Sequence, residues 1–200
     1  MANEYVSAAT LKTYLGITVS TYDAAIAESC ASASKGIDGV CQRRFWADST
    51  STVERYYTAP YRSRRLVIED LVTLGSVKTD SSGDGTFATT LTQNTDYVLL
   101  PLNAAAETPA WPYTIVELHS KSSAYFPPYP RNVKVTGKFG WAAVPDEIVR
   151  ATTILATKLF KRQESPFGFV TAGVDNDTAM RIAKNDPDVR FLIEPYMRVT

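Results

Sequence analysis

The spacing of apolar and small residues predicts a long helix near the start of the chain, from about Thr21 to Arg44. These positions recur every three or four residues, which places them on one face of a helix. The stripe comprises Tyr22, Ile26, Cys30, Ala33, Ile37, Val40, Cys41 and Phe45. Gly36 and Gly39 either weaken this helix or mark close contact with another helix. A shorter helix over 10–15, ended by Gly16, is expected before it.

Helical spacing returns in the last third of the chain. A stripe of Ile148, Ala151, Leu155 and Leu159 follows a helix start at Pro145–Glu147, where proline and two acids suit the first turn. Ser165 and Pro166 are expected to stop this helix. A loop over Phe167–Gly173, a helix capped by Asp175 or Asp177 and running to about Lys184, and a short helix over Asp188–Ile193 complete the prediction.

The middle of the chain has the pattern of an antiparallel β region, with runs rich in Val, Thr and Tyr separated by turn residues. A turn is expected at Glu69–Asp70. The predicted strands are Val53–Ala59, Arg65–Glu69, Gly75–Thr79, Thr86–Leu91, Tyr97–Leu100, Tyr113–Leu118 and Asn132–Phe139.

These elements predict an α+β fold in which the N- and C-terminal helices pack together, since neither group has another partner. We expect one domain over 1–200, made of a helical part (1–46), a β-rich insertion (47–142) and a second helical part (143–200).

Charge and composition exclude several classes of protein. The chain has 21 basic and 21 acidic residues, and they balance separately within 1–45, 46–144 and 145–200. A protein that grips nucleic acid through phosphates needs a basic excess. No apolar run is long enough for a membrane span, and the first residues predict no signal peptide. Cys30 and Cys41, about 16 Å apart if on one helix, are expected to be reduced, apolar thiols.

Residues suited to catalysis or metal binding are few. His119 is the only histidine, and no Gly-x-Ser-x-Gly elbow presents a nucleophile, so an ordinary strand-end histidine is the simpler interpretation. The residues from Asp80 to Gly85 partly fit a calcium loop, but its twelfth position is Leu91 instead of Glu. A hairpin turn on Asp84-Gly85 is the simpler explanation. We therefore expect no cofactor and no metal.

Two exposed-looking clusters are candidate interaction surfaces. Arg62, Arg64 and Arg65 form a basic cluster, which is either a contact site or solvated loop charge. Tyr125, Phe126 and Tyr129 lie within an uninterrupted aromatic and proline run, 125–130. Such a stiff apolar loop suits burial against a partner, or folds over its own sheet.

Several segments, in order along nearly the whole chain, resemble the head–tail connector (adaptor) proteins of tailed bacteriophages. The departure is the middle, since shorter family members have only a small hairpin where this chain has about 50–140. The matching segments are Leu11–Ile17, Tyr22-Asp23, Cys41–Phe45, Asp96–Pro101, Val133–Trp141, Val144-Pro145, Asp186–Val189 and Leu192–Arg198.

The resemblance implies a non-enzymatic structural subunit of a homo-oligomeric ring, commonly dodecameric, at the head–tail interface of a virion and made in the cytoplasm of the bacterial host. The ring would dock on the portal protein, extend the DNA channel without sequence-specific binding, and offer a platform to the stopper or tail-completion protein. In such proteins the C-terminal segment reaches the portal. By position, the portal contacts here would be Phe191, Leu192, Pro195, Tyr196, Met197 and Arg198.

Two other functions remain open on sequence grounds. One is a binding module for carbohydrate or peptide, which needs an open groove lined by Trp111, Tyr113, Tyr125 and Tyr129. The other is an enzyme using His119, which needs an acid and a nucleophile to converge beside it.

Overall fold

The computed structural model describes residues 3–107, 110–163 and 176–198, and it divides the chain into two compact units. The helical unit holds the described residues of 1–45 and 144–200, and the β unit holds those of 46–143. Five α-helices and one six-stranded antiparallel sheet lie within the described residues, which confirms the α+β class.

The helical unit contains all five helices. Their bounds are α1 Ala8–Leu15, α2 Asp23–Cys41, α3 Asp146–Gln163, α4 Asn176–Asn185 and α5 Pro187–Ile193, followed by a 3₁₀ turn over Glu194–Tyr196. Both predicted apolar stripes lie in the core except at Tyr22, which is exposed, and Val40, which is half-buried. The helix α2 packs on α3 and α4, as expected for the two ends of the chain. The predicted loop over Phe167–Gly173 lies outside the described residues.

Local signals account for the helix ends. The Ser7 hydroxyl accepts the Thr10 backbone N–H at 3.1 Å and caps α1. Gly16 ends the same helix at φ 69°, a left-handed conformation that suits glycine. Asp186 caps α5, where its carboxylate accepts the N–H groups of Asp188 and Val189.

The two glycines of α2 mark a close helix contact, one of the two alternatives that the sequence left open. A Cβ on Gly36 would lie 2.8 Å from the Ala179 Cβ of α4, and one on Gly39 would lie 2.7 Å from the Met180 sulfur. Only glycine allows the two helices to approach this closely at Gly36.

The β unit is built around one long central strand. The strands are β1 Val53–Tyr57, β2 Arg65–Thr79, β3 Thr89–Leu91, β4 Tyr97–Leu100, β5 Tyr113–Leu118 and β6 Val133–Phe139. Their order is β1-β6-β2-β5-β4, with β3 paired to β2. Leu66, Ile68, Val116 and Val135 are among the buried residues of its core.

The prediction of a turn at Glu69–Asp70 is wrong, because both residues lie inside β2. The register with β6 shifts between Leu71 and Thr73, and again between Leu74 and Ser76. These irregularities bend the strand without ending it. Asp70 is buried there, and its carboxylate accepts the Trp141 indole N–H at 3.0 Å.

Candidate interaction surfaces

The C-terminal candidate residues differ in accessibility. Phe191 is 78% exposed, the highest value for a large apolar side chain among the described residues. Pro195 is exposed, whereas Leu192, Met197 and Arg198 are half-buried. The Arg198 backbone N–H donates to the Cys41 carbonyl at 3.0 Å, which holds this segment against the end of α2.

Tyr196 is a core residue of the helical unit. Its hydroxyl donates to Glu147 Oε2 at 2.8 Å, and its ring packs edge-on against Phe45 with centroids 5.9 Å apart. Burial, reinforced by the Glu147 carboxylate, raises the pKa of Tyr196 to about 12. In this conformation Tyr196 positions the segment around it and leaves contact with a partner to its neighbours. Its direct contact with a portal stays a prediction.

The outward face of α5 combines apolar and acidic side chains. Pro187, Phe191 and Pro195 recur at every fourth position, and Asp188 and Glu194 lie three residues before and after Phe191. All five residues are exposed. We call this face the α5 ridge.

The β unit brings the two predicted clusters together in one groove of about 250 Å³. The first side comes from the loop before β2 and the second from the loop after β5. We call this the aromatic groove, and its lining includes Tyr61, Arg62, Arg64, Tyr125, Phe126 and Pro128. Tyr61 and Tyr125 are strongly exposed, whereas Phe126 is buried and forms part of the sheet core.

The three arginines of the basic cluster have different roles. Arg65 lies outside the groove, and its Nε donates to Glu117 Oε1 at 2.9 Å across the β2–β5 pair. Arg64 donates to the carbonyls of Leu118 and His119 and so fixes the second loop of the groove. Arg62 is exposed, and its guanidinium carbon lies 5.2 Å from the Tyr61 ring centroid.

Asp96 supports the loop that follows β5. Its carboxylate accepts the Thr92 backbone N–H and the Ser122 hydroxyl, each at 2.8 Å. The hydrogen bond from Thr92 and, to a smaller extent, the one from Ser122 lower the pKa of Asp96. Ser122 thereby holds the chain that leads into Tyr125.

The aromatic residues required by the binding-module interpretation do not share this groove. Trp111 packs on Trp141 with ring centroids 5.1 Å apart, and Tyr113 packs against the sheet core. Tyr129 lies over Gly83. A second groove, of about 280 Å³, flanks Tyr125 on the side of Thr89–Leu91. Tyr125 lines both grooves, and neither groove is lined by any of the other three aromatic residues that the binding-module hypothesis requires.

His119 lies near an acid and a hydroxyl, but their connections differ from a catalytic triad. The Ser122 hydroxyl donates to Asp96, whereas in a triad the histidine links the other two groups. His119 Nε2 is buried and has no hydrogen-bond partner among the described residues. The arrangement is therefore not a Ser-His-Asp triad.

The loop from Asp80 to Gly85 is organised by its own first residue. The Asp80 carboxylate accepts the N–H groups of Gly83 and Gly85 at 2.8 and 2.7 Å. Burial raises its pKa, but these two bonds outweigh that effect and the pKa is lowered. The connection between β2 and β3 spans 80–88, which is longer than a turn on Asp84-Gly85 alone.

Within the described ranges no three metal-ligating side chains cluster. In the same ranges no helix has the length and apolarity to cross a membrane.

Sequence reasoning did not include Tyr61 in the candidate surface. The signal was an aromatic residue directly before the basic cluster and after Pro60, in a loop between two predicted strands. Tyr61 becomes part of a surface only through the pairing of β2 with β5, because that pairing places residues 61–65 beside the loop that follows Leu118.

Comparison with solved structures identifies the fold over the full length. The chain matches one in the neck of an empty gene transfer agent (GTA) particle computed with C6 symmetry, with TM-score 0.53 and 17% identity. This match covers 100% of this chain and 96% of that chain. It also matches one in the neck of a native GTA particle computed with C12 symmetry, with TM-score 0.53, 16% identity and the same coverage. No family model and no curated protein matches the sequence. The chain therefore has the fold of the chains it matches in these two GTA necks.

Proposed function

We propose that this chain is a structural subunit of the neck of a phage-like particle. The observation that carries the proposal is the fold match to neck chains over the whole chain, including the β unit. A likeness confined to the helical unit would have left the role of residues 46–143 open. The function is one of assembly, in which surfaces matter and no reaction is catalysed.

The neck subunits would form a homo-oligomeric ring, with twelve copies as the leading stoichiometry. The C12 and C6 symmetries used for the two GTA necks favour a ring whose copy number is a multiple of six. Ring closure requires a heterologous contact, in which two different surfaces of one chain meet in neighbouring copies. Two distinct exposed surfaces, the α5 ridge and the aromatic groove, are available for such contacts.

We propose that this ring lies between a portal protein and a stopper or tail-completion protein in the virion. The subunit would be synthesised in the cytoplasm of the bacterial host. The C-terminal segment is the proposed portal contact, through Leu192, Met197 and Arg198, which lie beside the α5 ridge. Their partial exposure beside a buried Tyr196 supports this, because the segment is held in place yet accessible. Phe191 is proposed to contact the neighbouring subunit instead.

DNA would pass through the ring without sequence-specific binding. The supporting observation is the equal number of basic and acidic residues in the chain. A lumen with little net charge attracts phosphates weakly and therefore does not retain the moving duplex. A strongly basic lumen in the assembled ring would contradict this part of the proposal.

The test mixes purified protein with its candidate portal protein and records mass and symmetry by electron microscopy. The matched variant ends after Tyr196, because a cut before α5 would also remove Val189 and Ile193, which are buried in the helical core. We expect a ring on the portal with the full chain and a weakened complex with the variant. Full-length protein that never joins the portal would refute portal docking.

A further inference from the structure

The α5 ridge presents its largest apolar side chain to solvent. Phe191 is 78% exposed at the centre of the ridge, between Pro187 and Pro195. Asp188 and Glu194 flank it, and both are exposed. An exposed aromatic side chain framed by acids has the composition of an interface anchor with a charged rim.

The aromatic groove has the opposite character. Its lining includes the aromatic and apolar residues Tyr61, Tyr125, Phe126 and Pro128, and no acidic residue is among its lining side chains. Arg62 and Arg64 add two positive charges to the lining. Arg64 donates to backbone carbonyls, which carry no formal charge, and Arg62 has no ion pair among the described residues.

The size of the groove favours a side chain as its occupant. Its volume of about 250 Å³ lies below the roughly 300–1,000 Å³ of small-molecule sites. A phenylalanine ring fits a space of this kind and pairs well with aromatic walls when ring centroids lie roughly 4.5–7 Å apart.

We propose that the α5 ridge of one subunit binds in the aromatic groove of the neighbouring subunit. The inference rests on the ring proposed above. Phe191 contacts the aromatic lining of the groove, and Asp188 faces Arg62. Ridge and groove are different surfaces of one chain, so the contact is heterologous and repeats from copy to copy, as a closed ring requires.

The apolar anchor and the charges contribute differently to this contact. A buried aromatic anchor carries much of the affinity of an interface, so Phe191→Ala is expected to weaken subunit association at least tenfold. Pairs such as Asp188 with Arg62 at an exposed rim add little affinity, but opposing like charges disfavour the pairing. Charge reversal at either residue is therefore expected to weaken association as well.

The decisive experiment exchanges charges between subunits. Arg62→Glu and Asp188→Arg are made singly, and association is measured by sedimentation velocity and mass photometry, alone and on the candidate portal. Each single variant is expected to associate more weakly than the unmodified chain. Mixing the two restores association when the variants alternate around the ring. One contact then joins the native acid to the native arginine, and the next joins the two introduced charges, which are also opposite in sign.

The matched controls introduce the same charge reversals at residues outside the proposed contact. Arg65→Glu alters the neighbouring basic residue, which lies outside the groove, and Asp177→Arg alters an exposed acid on α4 instead of α5. Both are expected to associate as the unmodified chain does. Phe191→Ala removes a side chain that is mostly in solvent, so circular dichroism and thermal unfolding should be unchanged for the monomer.

The outcomes separate this inference from the proposed function. Rings that form normally with Phe191→Ala and Arg62→Glu would overturn the ridge–groove contact and leave the neck function standing. If Arg62→Glu leaves ring formation unchanged but weakens binding to the portal or the stopper, the groove binds one of those proteins. That result would also overturn the ridge–groove contact. Unmodified protein that forms no ring, alone or with the portal, would overturn both proposals.

Discussion

Tyr5 connects the start of the described chain to the last turns of α2 and to the segment after it through one hydroxyl group. It donates to Asp38 Oδ1 at 2.5 Å and accepts the Phe45 backbone N–H at 2.8 Å. Its ring also packs edge-on against Phe45, with centroids 5.9 Å apart. The arrangement satisfies a buried N–H and a partly buried carboxylate together, which matters because unpaired buried polar groups are costly.

Asp38 predicts a specific pH dependence of stability. Burial raises the pKa of its carboxyl to about 6, against an ordinary value of 3.8, although Tyr5 and Arg44 oppose the shift. The folded chain then holds this proton more tightly than the unfolded chain. The contribution of Asp38 to the free energy of unfolding is therefore full below about pH 4 and is lost as the pH rises to about 6.

Asp38→Asn tests this dependence. A difference of about two pKa units sets an upper bound of about 3 kcal/mol across the window, and solvent screening of the partly exposed carboxyl reduces the effect below that bound. Urea unfolding at intervals from pH 4 to 7 is expected to show a fall in stability in the unmodified chain that the variant lacks. Asp23→Asn, an exposed residue of the same helix, serves as the control. The same pH profile in all three proteins would contradict the assignment.

Asp186 is predicted to stabilise α5 from outside the helix. It caps two backbone N–H groups and pairs with Lys158 of α3. Burial raises the pKa of Asp186, but Lys158 and the cap outweigh burial and lower it, so its contribution is present above pH 4 and is lost as the pH falls below that. Asp186→Ala should lower the free energy of unfolding at pH 7 by about 1–2 kcal/mol.

The comparison for Asp186 is Asp188→Ala, which changes an exposed acid in the first turn of the same helix. It should have a much smaller effect on urea unfolding. Equal losses from both substitutions would show that the cap is not the source of the stability.

At the scale of elements, the contact between α2 and α4 depends on two glycines that are not equivalent. The neighbour of Gly36 is Ala179, whose Cβ and backbone leave no space for a side chain. The neighbour of Gly39 is the flexible side chain of Met180. A methionine adjusts its rotamers at small cost, whereas a helix backbone does not.

Paired substitutions test this difference. Gly36→Ala should lower stability by about 1–2 kcal/mol, because overpacking costs more than the gain in helix propensity. Gly39→Ala should change stability by less than about 1 kcal/mol, with the propensity gain offsetting the shift of Met180. Thermal and urea unfolding of both variants provide the comparison. A greater loss at Gly39 would contradict the packing described.

Elements with strong local signals were predictable from the sequence, and elements set by distant pairing were not. The stripe Ile148, Ala151, Leu155 and Leu159 alone defines α3, and Asp186 with Pro187 marks the start of α5. The continuity of β2 through Asp70 was not predictable, because a buried Trp141 N–H from a distant part of the chain compensates the carboxylate.

The aromatic groove was predictable in its parts and not in its assembly. The arginine and aromatic clusters stand out in the sequence about sixty residues apart. The two clusters come together only because β2 pairs with β5, with Arg65 opposite Glu117. No local sequence pattern specifies β5 as the partner of β2. The exposure of Phe191 and the burial of Tyr196, five residues later, likewise depend on how α5 packs.

At the scale of the whole molecule, the proposed assembly function predicts that His119, the only histidine in the sequence, is dispensable. His119→Ala removes a side chain whose Nε2 has no hydrogen-bond partner among the described residues. Ring formation and portal binding should be unchanged. A loss of assembly with preserved folding would place His119 in an interface, and a lost chemical activity would favour an enzyme.

The measurement that tests the central claim most directly is electron microscopy of the unmodified protein with its candidate portal, with symmetry determined from the images. The account predicts a closed ring, twelvefold or sixfold, seated coaxially on the portal around an open channel. A protein that remains monomeric beside the portal at every concentration reached, or joins it without forming a ring, would contradict the account.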